Sequence, residues 1–163
     1  MTTESVNKPA ANLVKALKAK NLHISTAESC TGGMIAAAIT EVAGSSEVFE
    51  LGVVSYSDDI KNKVLQVSRE TLEKFTVYSA ETAAEMVTGV LRLGGADLAV
   101  AVTGLAGPGG GTMARPVGLV YIAVGKDRDL QVREFHFAGG RSDIRRQTLT
   151  NALQMALDYV QKL

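Results

Sequence analysis

Leu98-Ala99-Val100-Ala101-Val102, bounded by Asp97 and Gly104, is the stretch of sequence that decides the fold. A short, uninterrupted run of apolar residues between turn-forming residues is typical of a β-strand that is buried on both faces. Such strands occur in sheets whose two faces are both covered by helices. The run therefore predicts a strand inside an α/β protein.

The segments around this run predict alternating helices and strands. Helical spacing and N-cap residues predict helices over 12–17, 34–42, 60–65, 69–75, from Ser79 onward and over about 142–161. Strands are expected over 22–27, 48–57, 98–102, 117–124 and 131–137, the last two forming an antiparallel hairpin across the turn at 125–127. The order predicts an α/β fold, a three-layer α/β/α sandwich with a mixed, mostly parallel sheet, as a single domain over residues 1–163.

Charge and composition narrow the function classes. Seventeen basic and seventeen acidic residues leave no net charge, so a large basic surface for a nucleic-acid duplex is not expected, although a local cluster could bind a small anion. The one cysteine cannot form an internal disulfide, and no Cys/His spacing matches a structural zinc site. Neither a secretory signal pattern nor a membrane-spanning apolar segment is present. We therefore expect a cytoplasmic protein that binds neither nucleic acid nor membrane.

Four polar or glycine-rich stretches follow or precede the predicted strands. Ligands of open α/β sheets bind where strands end, so the convergence of several such stretches predicts a ligand site. The stretches are 28–33, 44–46 together with Tyr56 and Lys61, 103–116, and 139–146.

The turn at 29–33 lies before a predicted helix and is open to two interpretations. Free backbone N–H groups at a helix N-terminus attract phosphate or carboxylate and lower the pKa of a thiol, so Cys30 could be a nucleophile. Alternatively, Ser29 and Thr31 cap the helix while Cys30 packs as a small apolar residue.

The glycine-rich loop and the beginning of the last helix each allow two interpretations as well. The loop at 104–111 is neither a P-loop nor a Rossmann fingerprint, and its glycines suit either an oxyanion-binding backbone or a flexible surface connection. Arg141, Arg145 and Arg146 lie in the first turn of the last helix, where the helix dipole disfavours a cation unless an anion is near. They indicate either a phosphate site or a set of solvated side chains.

Ser46, Tyr56 and Lys61 form a possible catalytic set. Lys61 lies one turn into the helix that follows Tyr56, so both side chains could converge on the turn at 44–46. A serine hydroxyl needs a base, and a desolvated lysine or a tyrosine near a cation can serve when no histidine is available.

Together these motifs resemble the C-terminal domain family of the competence/damage-inducible protein CinA. The resemblance rests on 26–33, Gly44-Ser45-Ser46, 52–57 with Lys61, 103–111 and 115–118, and it covers nearly the whole chain. It implies a three-layer α/β/α fold and hydrolysis of the carboxamide of nicotinamide mononucleotide (NMN). The products would be nicotinate mononucleotide and ammonia, in pyridine-nucleotide recycling and without a metal or other cofactor.

The resemblance also implies roles for particular residues. Ser46 would be the nucleophile, Lys61 the general base and Tyr56 the hydrogen-bonding partner of Lys61. Contacts to a small-molecule nucleotide substrate are expected from Ser29, Thr31, Gly32, Gly33, Thr103, Gly104, Gly107, Arg141 and Arg145, and a homo-oligomer is expected. Two alternatives stay open: a nucleotide-binding paralogue without turnover, and an amidase that uses Cys30. Arg115 departs from the family, which often has lysine before the Pro-Val-Gly sequence.

Overall fold

The computed structural model describes residues 4–126 and 128–163. Its helices and strands follow the order that the sequence predicts. They are α1 (Glu4–Lys20), β1 (Ile24–Glu28), α2 (Met34–Thr40), β2 (Phe49–Val54), α3 (Asp58–Leu65), α4 (Arg69–Lys74), α5 (Ala80–Gly94), β3 (Leu98–Gly104), β4 (Leu119–Lys126), β5 (Asp129–His136) and α6 (Arg141–Lys162), with a 3₁₀ turn at Ser45–Glu47.

The five strands form one mixed sheet in the order β2-β1-β3-β4-β5. β1 pairs in parallel with both β2 and β3, whereas β4 is antiparallel to β3 and β5 is antiparallel to β4. Four of the five strands therefore run in the same direction, and β4 runs against them. The predicted mixed sheet and its terminal hairpin are confirmed, and the β3–β4 pair adds a second antiparallel ladder.

Helices cover both faces of the sheet, which confirms the three-layer architecture. α1, α2 and α6 pack on one face, and α3, α4 and α5 pack on the other. The deciding run lies in β3, every residue of which is buried. Its valines contribute to the core under α1 and α6, and its alanines to the core under α5. Both faces of this strand are thus shielded from solvent, as its continuous apolar sequence predicts.

Several predicted boundaries differ from the structure, among them the start of α1 and the end of β2. α1 already includes residues 4–11, because Ala10 extends the buried stripe formed by Leu13, Val14 and Leu17. β2 ends at Val54 rather than at residue 57, because the Ser57 hydroxyl accepts a hydrogen bond from the Ile60 N–H and so begins α3. This early helix start determines where Lys61 lies.

Candidate active site

A cleft of about 180 Å³ opens at the edge of the sheet where β1, β2 and β3 end. Because these strands are parallel, the segments that follow them meet at this edge, together with the beginning of α6. The cleft is lined by Ser29, Cys30, Tyr56, Asp58, Lys61, Val77, Tyr78, Gly104, Leu105, Ala106, Gly107, Gly109 and Arg141.

Lys61 and Ser29 are in direct contact on the floor of this cleft. The Lys61 side chain is 1% exposed, and its Nζ lies 3.1 Å from Ser29 Oγ. The same nitrogen donates to the carbonyl oxygens of Ser55 at 2.9 Å and Tyr56 at 3.2 Å. Three oxygen atoms therefore surround the amine, and one of them is a hydroxyl that faces a ligand cavity.

Burial lowers the pKa of Lys61 from its ordinary value of 10.5, since the apolar surroundings disfavour the charged ammonium. The Asp58 carboxylate and Cys30 act in the opposite direction and more weakly. At a given pH, the neutral form of this amine, which can accept a proton, is therefore more populated than in an exposed lysine.

The turn between Ser29 and α2 is arranged around the Glu28 carboxylate. Glu28 is 1% exposed and accepts hydrogen bonds from the Thr31 hydroxyl and from the N–H groups of Gly33, Ile35 and Ala36. The N-cap position of α2 is Gly33, which has no side chain to offer. The prediction that Ser29 and Thr31 cap this helix is therefore wrong. The Glu28 carboxylate, at the end of β1, accepts the hydrogen bonds of the helix N-terminus instead.

Glu28 itself was not among the predicted site residues. The sequence feature that could have identified it is a carboxylate at the end of a predicted strand, five residues before Gly33. A buried carboxylate requires hydrogen-bond donors, and the nearest supply is the N-terminus of the following helix.

Arg141 and Arg145 have different surroundings. Arg141 lines the cleft, where it donates to the Gly107 carbonyl at 2.8 Å and to the Tyr56 hydroxyl at 2.9 Å. Arg145 lies outside the lining and donates to the carbonyls of Cys30 at 3.1 Å and Thr31 at 2.8 Å. Both arginines were expected to contact the phosphate. Arg141 lies at the cleft, whereas Arg145 binds the turn from outside the cleft.

Tyr56 contacts Lys61 through its main chain. The carbonyl oxygen accepts from Lys61 Nζ, whereas the phenol group points to Arg141 and is largely exposed. The predicted contact between the Tyr56 and Lys61 side chains is therefore replaced by a contact to the Tyr56 main chain, and the Tyr56 hydroxyl accepts from Arg141 instead.

At the end of β3 and in the loop that follows it, Gly104 and Gly107 line the cleft, whereas Thr103 does not. Thr103 is fully buried, and its hydroxyl donates to the Val77 carbonyl at 2.6 Å. The expectation of a direct substrate contact from Thr103 is corrected: its hydroxyl is used to hold the segment that carries Val77 into the cleft wall. Gly104 and Gly107 do line the cleft. Gly107 has a φ of +73°, and a Cβ there would lie 2.6 Å from Val117 Cγ1, so a side chain is excluded.

Ser46 lies at the opposite edge of the sheet. It is exposed and belongs to the 3₁₀ turn that precedes β2, next to Glu47, which forms an ion pair with Lys18 of α1. The length of β2, about 20 Å, separates this turn from Tyr56 and Lys61. The prediction that Tyr56 and Lys61 converge on Ser46 is therefore wrong, because a parallel strand carries the chain from one edge to the other. Ser29 occupies the position expected of Ser46.

Cys30 packs as a small apolar residue in the core, as one of the two interpretations of the turn predicts, and the interpretation in which it is a nucleophile loses support. The residue is 4% exposed, and burial raises the pKa of its thiol to about 11, outweighing the lowering effects of nearby backbone, Lys61 and Arg145. A pKa-lowering effect of the turn was predicted, and the desolvation of the thiol overrides it. At neutral pH Cys30 is a protonated thiol with little nucleophilic character.

The part of the chain that the structure describes shows neither a metal-binding cluster nor a membrane-spanning helix. Within residues 4–126 and 128–163, no three His, Cys, Asp or Glu side chains gather as a metal ion would need. None of the helices in that part of the chain combines the length and the apolar character needed to cross a membrane.

A three-layer α/β protein with a Ser–Lys cleft at one sheet edge is the class that this fold and geometry define. The family model for the CinA C-terminal domain matches residues 6–160. The chain therefore belongs to the CinA C-terminal domain family, as the sequence motifs predict.

Similar proteins agree with this assignment. The putative competence-damage inducible protein of Acetivibrio thermocellus is 50% identical over 149 residues, which cover 91% of this chain and 36% of that protein. A CinA-like protein of Endomicrobium trichonymphae is 51% identical over 132 residues, covering 81% of this chain and 31% of that protein. The chain thus spans about a third of the length of the curated relatives it matches.

Solved structures of similar length have the same fold. The competence/damage inducible protein CihA from Agrobacterium tumefaciens superposes with a TM-score of 0.91 at 43% identity, covering 97% of this chain and 98% of that one. A CinA superfamily protein from Klebsiella pneumoniae gives a TM-score of 0.93 at 34% identity, covering 97% and 99%.

Proposed function

We propose that this chain hydrolyses the carboxamide of NMN to nicotinate mononucleotide and ammonia, with Ser29 as nucleophile and Lys61 as general base. The observation that carries the proposal is the buried 3.1 Å contact between Lys61 Nζ and Ser29 Oγ inside a ligand-sized cleft. A serine hydroxyl becomes an effective nucleophile when a neighbouring base can accept its proton, and a desolvated lysine is such a base.

The surroundings of Lys61 suit a neutral amine. A neutral amine has two N–H bonds and one lone pair, and Nζ has two carbonyl acceptors, those of Ser55 and Tyr56, and one hydroxyl neighbour, that of Ser29. With the two N–H bonds directed to the carbonyls, the lone pair faces the Ser29 hydroxyl. The positive pyridinium ring of NMN would further disfavour a protonated Lys61.

The reaction then proceeds in two balanced steps. Ser29 Oγ attacks the carboxamide carbon while Lys61 takes the hydroxyl proton, and Lys61 returns that proton to the departing nitrogen as the C–N bond breaks and ammonia leaves. A water molecule next attacks the resulting ester, giving a proton to Lys61, which passes it to Ser29 as the C–O bond breaks. The net change is consumption of one water and release of nicotinate mononucleotide and ammonia.

The remaining cleft residues supply the binding groups that NMN needs. In the turn after Ser29, the Gly32 and Gly33 N–H groups are already bonded to the Ser29 carbonyl and the Glu28 carboxylate, so the proposal assigns the oxyanion of the tetrahedral intermediate to the Cys30 N–H next to the nucleophile. Arg141 is the cation that lines the cleft, and it suits the phosphate of the substrate. Gly104 and Gly107 allow the backbone to lie close to the nucleotide.

The test is to incubate the purified chain with NMN and to follow ammonia and nicotinate mononucleotide. Ser29→Ala and Lys61→Ala should each lower kcat by at least about 10³-fold, because nucleophile and base act as one unit. Ser46→Ala is the matched control, since this exposed serine lies at the other sheet edge. Loss of turnover in Ser46→Ala with retention in Ser29→Ala would refute the assignment. A folded wild-type chain that binds NMN without releasing ammonia would instead be a nucleotide-binding paralogue.

A further inference from the structure

We infer that Glu28 is a positioning residue, whose buried carboxylate sets the turn at 29–33 and thereby directs Ser29 Oγ to Lys61. Its expected effect on kcat rests on the proposed function, whereas its expected effect on the reactivity of Cys30 does not. Glu28 does not line the cleft, so its effect on the reaction would be indirect and would pass through the turn that carries Ser29.

The carboxylate gathers four donors from the turn and from α2. Oε2 accepts from the Thr31 hydroxyl at 2.6 Å, from Gly33 N–H at 3.0 Å and from Ile35 N–H at 3.1 Å, and Oε1 accepts from Ala36 N–H at 2.8 Å. Two of these donors lie in the second half of the turn, and two lie in the first turn of α2. The shape of the turn at 29–33 is therefore determined largely by one side chain, which is itself held on β1.

A negatively charged, acceptor-only group is what this position requires. Three of the donors are N–H groups at the N-terminus of α2, where the helix dipole favours a negative charge. A carboxylate has two oxygens with about four acceptor sites, which match the four donors in number. Glutamine in its place would direct an NH₂ group at one or more of these donors, so the turn would have to move to relieve the conflict.

Arg145 completes the arrangement from the other side of the turn. Glu28 binds the donors of the turn, and Arg145 binds its acceptors, the carbonyl oxygens of Cys30 and Thr31. Ser29 N–H donates to the Val102 carbonyl, and Ser55 N–H donates to the Glu28 carbonyl, so the backbone on both sides of Ser29 is fixed to neighbouring strands. Ser29 is thus held from three directions.

The consequence for chemistry follows from the Ser29–Lys61 distance. A 3.1 Å contact becomes too long for proton transfer if the turn shifts by about 1 Å, and displacements of this size cost on the order of 10²-fold in rate. Because Arg141, Gly104 and Gly107, the residues proposed to bind the nucleotide in the ground state, lie elsewhere in the cleft, the loss should fall on kcat rather than on KM.

The test compares Glu28→Gln with Glu85→Gln. Glu85 is the matched control, because its carboxylate also accepts hydrogen bonds at a helix N-terminus, from Ser68 N–H and the Thr71 hydroxyl at α4, and lies outside the cleft lining. For each variant, kcat, KM, urea unfolding and the rate at which iodoacetamide alkylates Cys30 are measured. Cys30 is the only cysteine in the chain and belongs to the turn, so its alkylation can be followed without turnover. Because the Glu28 charge itself raises the pKa of Cys30, faster alkylation in Glu28→Gln alone would reflect the lost charge. Thr31→Val keeps that charge and therefore isolates the effect of turn geometry.

Glu28→Gln should lower kcat by about 10²-fold with KM changed by less than about threefold, and should accelerate alkylation of Cys30 by about tenfold. Glu85→Gln should leave kcat and Cys30 alkylation at wild-type values, whatever its effect on unfolding. Thr31→Val, which removes one of the four donors, should change both readouts in the same direction and by less, and it serves if Glu28→Gln fails to fold.

Two results would overturn the inference. Cys30 alkylation as slow in Glu28→Gln and Thr31→Val as in the wild type would show that the turn does not depend on the carboxylate, whether or not NMN is turned over. A rise in KM at constant kcat would show a substrate-binding role instead. An inactive wild type with accelerated alkylation in both Glu28→Gln and Thr31→Val would refute the proposed function and leave the positioning role supported.

Discussion

Lys61 Nζ lies 3.1 Å from Ser29 Oγ, although 32 positions separate the two residues in the chain. The contact arises because β1 and β2 are adjacent and parallel, so that the turn after β1 and the helix after β2 begin at the same edge of the sheet. Two neighbouring strand–helix units thus supply one half each of a nucleophile–base pair. The pair is buried, and its burial has consequences for pH dependence.

The first prediction concerns the stability of the protein as pH changes. Burial lowers the pKa of Lys61 below its ordinary value of 10.5, so between the folded value and 10.5 the unfolded chain binds more protons than the native one. The free energy of unfolding should therefore rise with pH through this window, by at most about 1.4 kcal/mol per pH unit from this group. Lys61→Met, which lacks the titrating group, should lack this rise.

Urea unfolding of the wild type and Lys61→Met between pH 7 and pH 10 measures the difference. The stability of Lys61→Met relative to the wild type should fall as pH increases. The kcat/KM of the wild type for NMN should rise over the same range, because the neutral amine is the proposed base. A constant difference in stability would show that Lys61 keeps its ordinary pKa in the native protein.

The sequence predicted the architecture well because its decisive signals are local. The apolar run in β3, the N-cap at Ser57 and the helical stripe of α5 each depend on residues within a few positions of one another. Mixed strand directions followed from the order of these elements together with the terminal hairpin.

The candidate site was predicted less well because it depends on which sheet edge a loop occupies. Ser46 and Ser29 are both serines next to small residues near a strand, and only the direction of the strand separates them: Ser46 precedes β2, whereas Ser29 follows β1. The opposite surroundings of Arg141 and Arg145 likewise follow from their different positions around α6, and no property of the isolated arginines distinguishes them.

A second prediction concerns the reactivity of Cys30. Because burial raises the pKa of its thiol to about 11, the thiolate fraction at pH 8 is about 10²-fold below that of a free cysteine. Alkylation by iodoacetamide should be slower by at least that factor, and its rate should increase with pH toward 11. Cys30→Ala should retain turnover of NMN within a few-fold. Rapid alkylation that abolishes activity in step with modification would return Cys30 to consideration as the nucleophile.

A third prediction concerns Gly89, which lies inside α5. Replacing an interior helix glycine by alanine ordinarily stabilises a protein by up to about 1 kcal/mol. A Cβ at Gly89 would lie 2.0 Å from the Leu65 carbonyl oxygen, so here α3 and α5 would have to separate. Gly89→Ala should therefore destabilise the protein by about 1–3 kcal/mol. Gly109→Ala, where a Cβ meets nothing within 4 Å, should change the free energy of unfolding by less than about 0.5 kcal/mol. Equal urea midpoints for the two variants would contradict this packing account.

The last prediction distinguishes the two arginines by substrate selectivity. NMN and nicotinamide riboside share the carboxamide and differ in the phosphate, so the ratio of their kcat/KM values reports phosphate binding. Arg141 lines the cleft, and its loss should lower this ratio by about tenfold or more, the value of a charge-assisted hydrogen bond.

Arg145, which is bound to the carbonyls of the turn, should act on kcat for both substrates and leave the ratio unchanged. Arg141→Ala and Arg145→Ala are each assayed with both compounds, and Arg146→Ala is the control, because this exposed arginine pairs with Asp143 on the same helix. A lower ratio in Arg145→Ala with no change in Arg141→Ala would reverse the two assignments. In that case the hydrogen bonds from Arg145 to Cys30 and Thr31 would have to break when the phosphate binds, and Ser29 would lose part of its support at the moment the substrate arrives.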